Sequence, residues 1–520
     1  MPYFVISPSS VLSILGLLRG PDKTNPTPAE DWRQATVDVV IPALNEADNI
    51  VLCLASVLRQ TVRPRRIILI DDGSRDGTIE LANAFCAHHG VPLLAIRRRK
   101  PIGKTPTIKR QSRESDSDVE FILDADTVLD SDNYIERTVQ ELYQAVGIAS
   151  AFGTVLPQRE KDRREAQNST EVQAFLALNP GTAPTAPRNL LRRLARGTTN
   201  LYREVLYLYL QRFVYRGQMV FFGTTSNPVG CAVAYRRKYV RALFDYVNPI
   251  LGDDLTNSED VFIGFAMLNE GYRNIQLTDV YARTVEPEVQ RLSRQIYFWS
   301  SSFLQSCYYF DPLVRSPFKV FKRRRAQSSR FPGSATKSGP RRLAPSPAPA
   351  MPMLATATAG GDMRPGSTPN TRPFQTAMVA DPLGAPPISF TGSGESRRGA
   401  DRRIVGEPYR QAFGRKRTEE FGRPAGWTLL MSAVEKVFFP TSLLMMVILQ
   451  WWEALAVTVA AETALCMIAL VLVMKGRRLE YAVKGLAVTP IRYAILGMEL
   501  LTIFRFATDL WITNDRRWRK

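Results

Sequence analysis

Two acidic pairs in the first quarter of the chain close apolar runs. Asp71-Asp72 follows Arg66-Ile-Ile-Leu-Ile70, and Asp124-Ala125-Asp126 follows Val119-Glu-Phe-Ile-Leu123. Carboxylates are hard oxygen donors suited to Mg²⁺ or Mn²⁺, and one placed beside a substrate hydroxyl can act as a general base. Where a strand ends and the chain bends, Asp124 and Asp126 can approach one ion. A third acidic group lies far downstream, Ser258-Glu259-Asp260, with Asp253-Asp254 just before it. Other chemistries are poorly supplied. The two histidines, His88 and His89, are adjacent in a predicted helix, where successive side chains diverge by about 100° and cannot readily share a ligand. The five cysteines are dispersed and show no metal-ligand spacing, which argues against a disulfide framework and for a reducing compartment. Acid–base and metal chemistry therefore falls to carboxylates.

The elements that must position these groups alternate. Val37–Pro42, Arg66–Ile70, Leu93–Ile96 and Val119–Leu123 are short apolar runs that predict buried parallel strands. Between the first two, Ile50, Leu54, Val57 and Leu58 have helical spacing within 47–60, and a helix to about His89 follows the Ser74–Thr78 turn. Strands alternating with helices predict an α/β fold with an open, Rossmann-like, mostly parallel sheet, whose ligands bind at the carboxyl ends of the strands. The acidic pairs stand at those ends.

The chain divides by composition into four parts: an N-terminal segment (1–36), the α/β region (37–321), a Pro/Ser/Gly/Arg-rich insert (322–425) and an apolar region (426–520). The first carries a short apolar stretch at 11–18, without a basic leader or cleavage site, and suits an interfacial or core-docking role. The insert cannot bury enough apolar surface to offset ordering entropy and predicts disorder. In the last part, Ala454–Met474 is 21 residues long with Glu462 as its one charge, long enough to cross a bilayer. With Val437–Trp452 it predicts a hairpin turning at Trp451-Trp452-Glu453. The segment Leu486–Trp511 carries Arg492, Glu499, Arg505 and Asp509, and either spans while lining a protein channel or lies along the interface, with an interfacial or re-entrant course preferred. A net charge of +19 without any zinc-finger, helix-turn-helix or RNA-binding motif points to anionic lipid rather than nucleic acid. Lys475-Gly-Arg477-Arg478 marks a cytoplasmic side, so the expectation is a multi-pass protein of the cell (plasma or inner) membrane with its α/β domain in the cytoplasm.

Four motifs in order, Val39-Val-Ile-Pro-Ala-Leu-Asn-Glu46, Ile70-Asp-Asp-Gly-Ser-Arg-Asp-Gly-Thr78, Gly103-Lys104 and Asp124-Ala-Asp126, resemble the nucleotide-binding half of the family-2 glycosyltransferases. The resemblance covers about residues 37 to 310 and implies a nucleotide-diphospho-sugar transferase fold. It implies nucleotide-sugar contacts for Pro42, Glu46, Asp71, Asp72, Lys104 and Asp124, and a metal, Mg²⁺ or Mn²⁺, on Asp126 and Asp124. Gly230-Cys-Ala-Val-Ala-Tyr-Arg236 resembles the family's strand bordering the acceptor, which implies acceptor binding by Arg236. Ser258-Glu259-Asp260 resembles the Thr-Glu-Asp segment of the membrane polysaccharide synthases of cellulose, chitin, hyaluronan and poly-N-acetylglucosamine type. That implies Asp260 as general base, with Asp254 its rival.

The synthases' Gln-x-x-Arg-Trp signature is present as Gln295-Ile-Tyr-Phe298-Trp299. It implies an acceptor site at Gln295 and Trp299. Phe298 stands where that pattern has Arg, which removes a bidentate partner for phosphate; Arg291 or Arg294, one helical turn earlier, are candidate substitutes. The resemblance thus implies an inverting transfer from a UDP-sugar to a growing polysaccharide at the membrane. Transfer of one sugar to a lipid-linked acceptor is the alternative, and an impaired scaffold subunit of a synthase complex, with partner subunits, is a reading of another class.

Overall fold

The computed structural model describes residues 8–19, 31–145, 147–179, 190–251, 258–287, 289–319, 422–474 and 476–512. Most of the insert reading, 322–421, and the rival base Asp254 lie outside the described residues. The predicted strands form as β1 (Val37–Ala43), β2 (Arg66–Asp71), β3 (Leu93–Arg97) and β4 (Val119–Leu123), joined by β5 (Thr127–Leu129), β6 (Ile148–Pro157), β7 (Ala232–Arg236) and β8 (Arg273–Thr284). One eight-stranded sheet results, in the order β3-β2-β1-β4-β7-β6-β8-β5. Its first half, β3-β2-β1-β4, is parallel as the alternation predicts. Beyond β4 the sheet is mixed: β7 runs antiparallel to β4 and β6, β6 pairs parallel with β8, and β5 is antiparallel to β8. The central strands are buried on both faces. Val39 and Ile41 of β1 enter one core cluster, and Val40 between them enters the other, the period-two alternation of a strand.

After an N-terminal helix, α1 (Pro8–Arg19), the helices α2 (Ile50–Leu58), α3 (Thr78–His88), α4 (Lys104–Glu114) and α5 (Tyr134–Tyr143) pack on this sheet. The second half adds α6 (Glu160–Gln167), α7 (Thr170–Leu178), α8 (Leu190–Tyr209), α9 (Tyr215–Phe222), α10 (Arg237–Leu251), α11 (Glu259–Glu270), α12 (Val289–Tyr309) and α13 (Asp311–Val314). The apolar N-terminal stretch docks on the core as α1. A Cβ on Gly217 of α9 would stand 2.7 Å from the Ser13 Cα, so the two backbones approach as closely as glycine permits. The opposite side of α1, with Val11, Ile14, Leu15 and Leu18, is exposed.

After the insert the chain forms α14 (Gly426–Ile448), α15 (Trp452–Val473) and α16 (Arg478–Trp511). All three are long and apolar enough to cross a membrane. The hairpin turns where expected: Gln450 takes a left-handed φ of 57° and Trp451 and Trp452 are exposed. Within 486–511 the chain makes no re-entrant turn. Residues 478–511 form one uninterrupted helix of 34 residues, because its charges find partners along its sides. Arg492 pairs with Glu462 of α15, and Lys436 of α14 lies 3.4 Å from Glu499. The last insert residues, 422–425, are tied to the α/β domain: the backbone carbonyl of Arg423 accepts the Ser316 hydroxyl at 2.6 Å.

Candidate active site

The carboxyl ends of β1, β2 and β4 meet at one edge of the sheet, and loops there are stitched by the acidic turn after β2. Asn45 N–H donates to the Ser74 hydroxyl, Glu46 N–H to Thr78 Oγ1 and Ala47 N–H to Asp76, at 2.8 to 3.0 Å. Asp72 holds the next loop. Its carboxylate accepts the backbone N–H groups of Ile102 and Gly103 at 2.8 to 3.1 Å, and Arg98 at 3.1 Å. This fixes the entry to α4, whose first residue is Lys104. Asp71 is also buried; it accepts Ser74 N–H at 3.0 Å and faces Arg97 at 3.4 Å. The acidic turn thus positions two loops.

Lys104 points across the cleft. Its Nζ lies 2.6 Å from Asp124, 2.6 Å from Glu259 and 3.0 Å from the Gly230 carbonyl oxygen. Burial alone would lower its pKa, but the charges of Asp124 and Glu259 outweigh that and hold it well above the ordinary lysine value. The strand-end carboxylates move the other way. Asp126 is pushed up to about 7, by burial first and then by the charge of Glu46. Asp124 is pushed up to about 6 by burial, with Lys104 opposing the shift and Asp126 and Glu259 adding to it. Glu46, at the carboxyl end of β1, is likewise raised by burial.

Asp260 enters from α11. Ser258 precedes the helix, and acidic residues in a first turn suit the positive end of the helix dipole. The Asp260 carboxylate accepts the Ser258 hydroxyl at 2.5 Å, Val261 N–H at 2.7 Å and Gly230 N–H at 3.2 Å. Burial, then the neighbouring Glu259, pushes it up to about 6 against those hydrogen bonds. The approach of Gly230 is possible only without a side chain: a Cβ there would lie 2.8 Å from Glu259 Oε1 and 2.9 Å from the Asp260 Cβ.

A cavity of about 550 Å³ unites these groups. Lys104, Asp124 and Asp126 line it on one side, Glu259 and Asp260 on another, and Gln295, Phe298 and Trp299 on a third; Ser432 and Lys436 of α14 also reach it. Gln295, Phe298 and Trp299 are spaced i, i+3, i+4 and share one side of α12. Pro42, Glu46, Asp71 and Asp72 are not on its wall, although they belong to the same edge of the sheet.

One expected acceptor residue is misplaced. Arg236 is paired with Val119, at the start of β4, while Asp124 follows the end of that strand, where Leu123 pairs with Ala232. Because β7 runs antiparallel to β4, Arg236 lies four residues, about 13 Å, from the site edge. There its guanidinium stacks on Tyr143 at 3.8 Å and donates to the Leu142 carbonyl at 3.1 Å. Arg291 and Arg294 are exposed and do not line the cavity. A guanidinium does stand behind the Gln-x-x-Phe-Trp face, and it comes from α8. Arg203, fully buried, donates to Gln295, lies over the Trp299 ring at 4.5 Å and faces Glu286 at 3.4 Å. No local motif in the sequence marks it; only its position on an amphipathic helix could have suggested an inward side chain.

Residues 38–244 match the family model for glycosyl transferase family 2. This stretch is a family-2 glycosyltransferase domain. The chain is 24% identical over 258 residues to an N-acetylglucosaminyltransferase of Azorhizobium caulinodans, covering 48% of this chain and 55% of that protein. It is 28% identical over 120 residues to an undecaprenyl-phosphate 4-deoxy-4-formamido-L-arabinose transferase of Serratia proteamaculans, covering 22% and 37%. It therefore spans about half, or less, of the length of these curated relatives. Among solved structures, a mannosyltransferase of Pyrobaculum calidifontis in complex with GDP-mannose and Mn²⁺ is similar at a TM-score of 0.37 and 16% identity, covering 58% of this chain and 76% of that one. That superposition is too loose to carry an argument.

The family-2 assignment raises the question of a metal. Among the described residues no three His, Cys, Asp or Glu side chains are grouped to hold one. Asp124 and Asp126 nevertheless fit a divalent cation. They are hard donors separated by one residue, and both are buried carboxylates raised first by burial, whose ionised form a bound cation would stabilise. Two carboxylates leave most of the coordination to oxygens of a bound diphosphate or water.

Proposed function

We propose that this protein is an inverting glycosyltransferase that transfers a sugar from a UDP-sugar to a growing saccharide at the membrane, from the cytoplasmic side. The observation that supports this best is the meeting, in one cavity, of Lys104, Asp124 and Asp126 with Asp260, Gln295 and Trp299. Asp260 takes the proton of the acceptor hydroxyl, whose oxygen forms a bond to the anomeric carbon as the bond to the diphosphate breaks. Its hydrogen-bonded carboxylate, raised to about 6, is ionised at neutral pH and more basic than an ordinary aspartate. Lys104 exchanges its contacts with Asp124 and Glu259 for the incoming diphosphate. A divalent cation on Asp126 and Asp124 supplies countercharge to the leaving group when bound. Trp299 offers a flat apolar face to the acceptor sugar, and Gln295 a polar edge. Pro42, Glu46, Asp71 and Asp72 shape the nucleoside side of the donor site through the loops that they hold.

A second reading, transfer of a single sugar to a lipid-linked acceptor, is favoured by Ser432 and Lys436, which extend the cavity to α14, a candidate span. Product length separates the two. Membranes containing the protein are incubated with labelled UDP-sugars and Mn²⁺. Metal-dependent release of UDP with a ladder of saccharides supports the first reading, and one lipid-linked sugar the second. Absence of any nucleotide release across UDP- and GDP-sugars defeats both and leaves a scaffold role.

A further inference from the structure

Arg203 is the largest fully buried side chain beside the cavity, and the transfer steps above do not use it. Its guanidinium joins three elements. One edge faces Glu286, which follows β8; another donates to Gln295 on α12; its face covers Trp299, also on α12. Glu286 is itself almost fully buried and lines the cavity, with its carboxyl raised by burial. A planar guanidinium can serve two hydrogen-bonding edges and a stacked ring at once, and an ammonium cannot. The next residue on α8, Glu204, points about 100° further round the helix. It accepts the Tyr481 hydroxyl at 2.6 Å and Lys484 at 3.0 Å, both on α16. One helical step of α8 therefore ties the cavity wall to a candidate membrane helix.

We propose that Arg203 is the positioning residue of the acceptor wall. It sets Gln295, Trp299 and Glu286 in the orientation that receives the acceptor. This rests on the transferase reading given above. The donor side, around Lys104 and Asp124, shares no contact with Arg203, so the two halves of the reaction respond differently to its loss.

The test compares two activities of the full-length protein in membranes: sugar transfer to acceptor, and acceptor-independent hydrolysis of UDP-sugar. Arg203→Met is expected to lower transfer at least tenfold while hydrolysis and the donor KM stay within twofold. Arg203→Lys, which keeps the charge but loses the planar contacts, is expected to recover less than a third of the lost transfer. Unchanged transfer in Arg203→Met, or an equal fall in transfer and hydrolysis with a raised donor KM, overturns the proposal. So does full recovery by Arg203→Lys. If Arg203→Met does not accumulate, Arg203→Gln, which keeps a polar end but loses the charge and the planar fork, must show the same selective loss. A wild-type protein that neither transfers nor hydrolyses fails the transferase reading instead.

Discussion

Replacing Ser258 with alanine tests the base without removing it. Asp260 is raised to about 6 by burial and by Glu259, and the Ser258 hydroxyl at 2.5 Å is the closest of three donors that oppose the rise. A hydrogen bond to a charged group contributes about 1.5–3 kcal/mol, and one pKa unit corresponds to about 1.4 kcal/mol. Loss of the hydroxyl should therefore carry the Asp260 carboxyl upward by about one to two units, to roughly 7–8. With Asp260 as the proposed base, the ionised aspartate is the reactive form, so activity is expected above this value and lost as pH falls through it. At pH 6.5 the ionised fraction drops from about three quarters to between about 3% and 25%. The assay is kcat/KM for UDP release with acceptor, from pH 5 to 9. In Ser258→Ala the acidic limb should move to higher pH, with the pH 9 plateau held within about twofold. In Asp260→Asn the rate should fall by about 10²–10⁴-fold across the range. An unmoved limb in Ser258→Ala, with activity retained in Asp260→Asn, would refute the assignment of the base.

Three other outcomes follow from the geometry. Gly230→Ala sets a methyl 2.8 Å from Glu259 Oε1 and 2.9 Å from the Asp260 Cβ, so turnover should fall about 10²-fold alongside an overpacking cost of about 1–3 kcal/mol in the thermal melt; wild-type turnover would contradict the close approach. Asp126→Asn should abolish the stimulation of UDP release by Mn²⁺, and chelation should do the same to the wild type, measured by titration of metal after EDTA treatment; full stimulation in the variant would remove Asp126 from the metal. Gly217→Ala places a methyl 2.7 Å from the backbone of Ser13, an overpacking cost of about 1–3 kcal/mol. It should free α1 to limited proteolysis while the α/β domain stays resistant.

The parallel half of the sheet was legible because its strands are local: Val37–Pro42, Arg66–Ile70 and Val119–Leu123 are apolar runs whose ends carry their own acidic signals. The antiparallel half was not. Strands β6 and β8 pair across more than a hundred residues, and nothing in their composition sets strand direction or order. That ignorance is what misplaced Arg236. A residue following a small-residue strand lies at the site or four residues away according to whether the strand runs with β4 or against it.

Residue type and order alone determined the acidic character of this protein's chemistry, the edge of the sheet where it gathers, and the apolar helices beside it. A strand end and a helix face are properties of neighbouring residues. Tertiary structure decided that Lys104 bridges Asp124 to Glu259 and that Asp72 holds a loop. It also decided that the guanidinium behind Gln295 and Trp299 comes from Arg203, ninety-two residues earlier in the chain. Each of these depends on which distant elements pack together. The energy selecting that packing is spread over two shared cores, so no single motif records it.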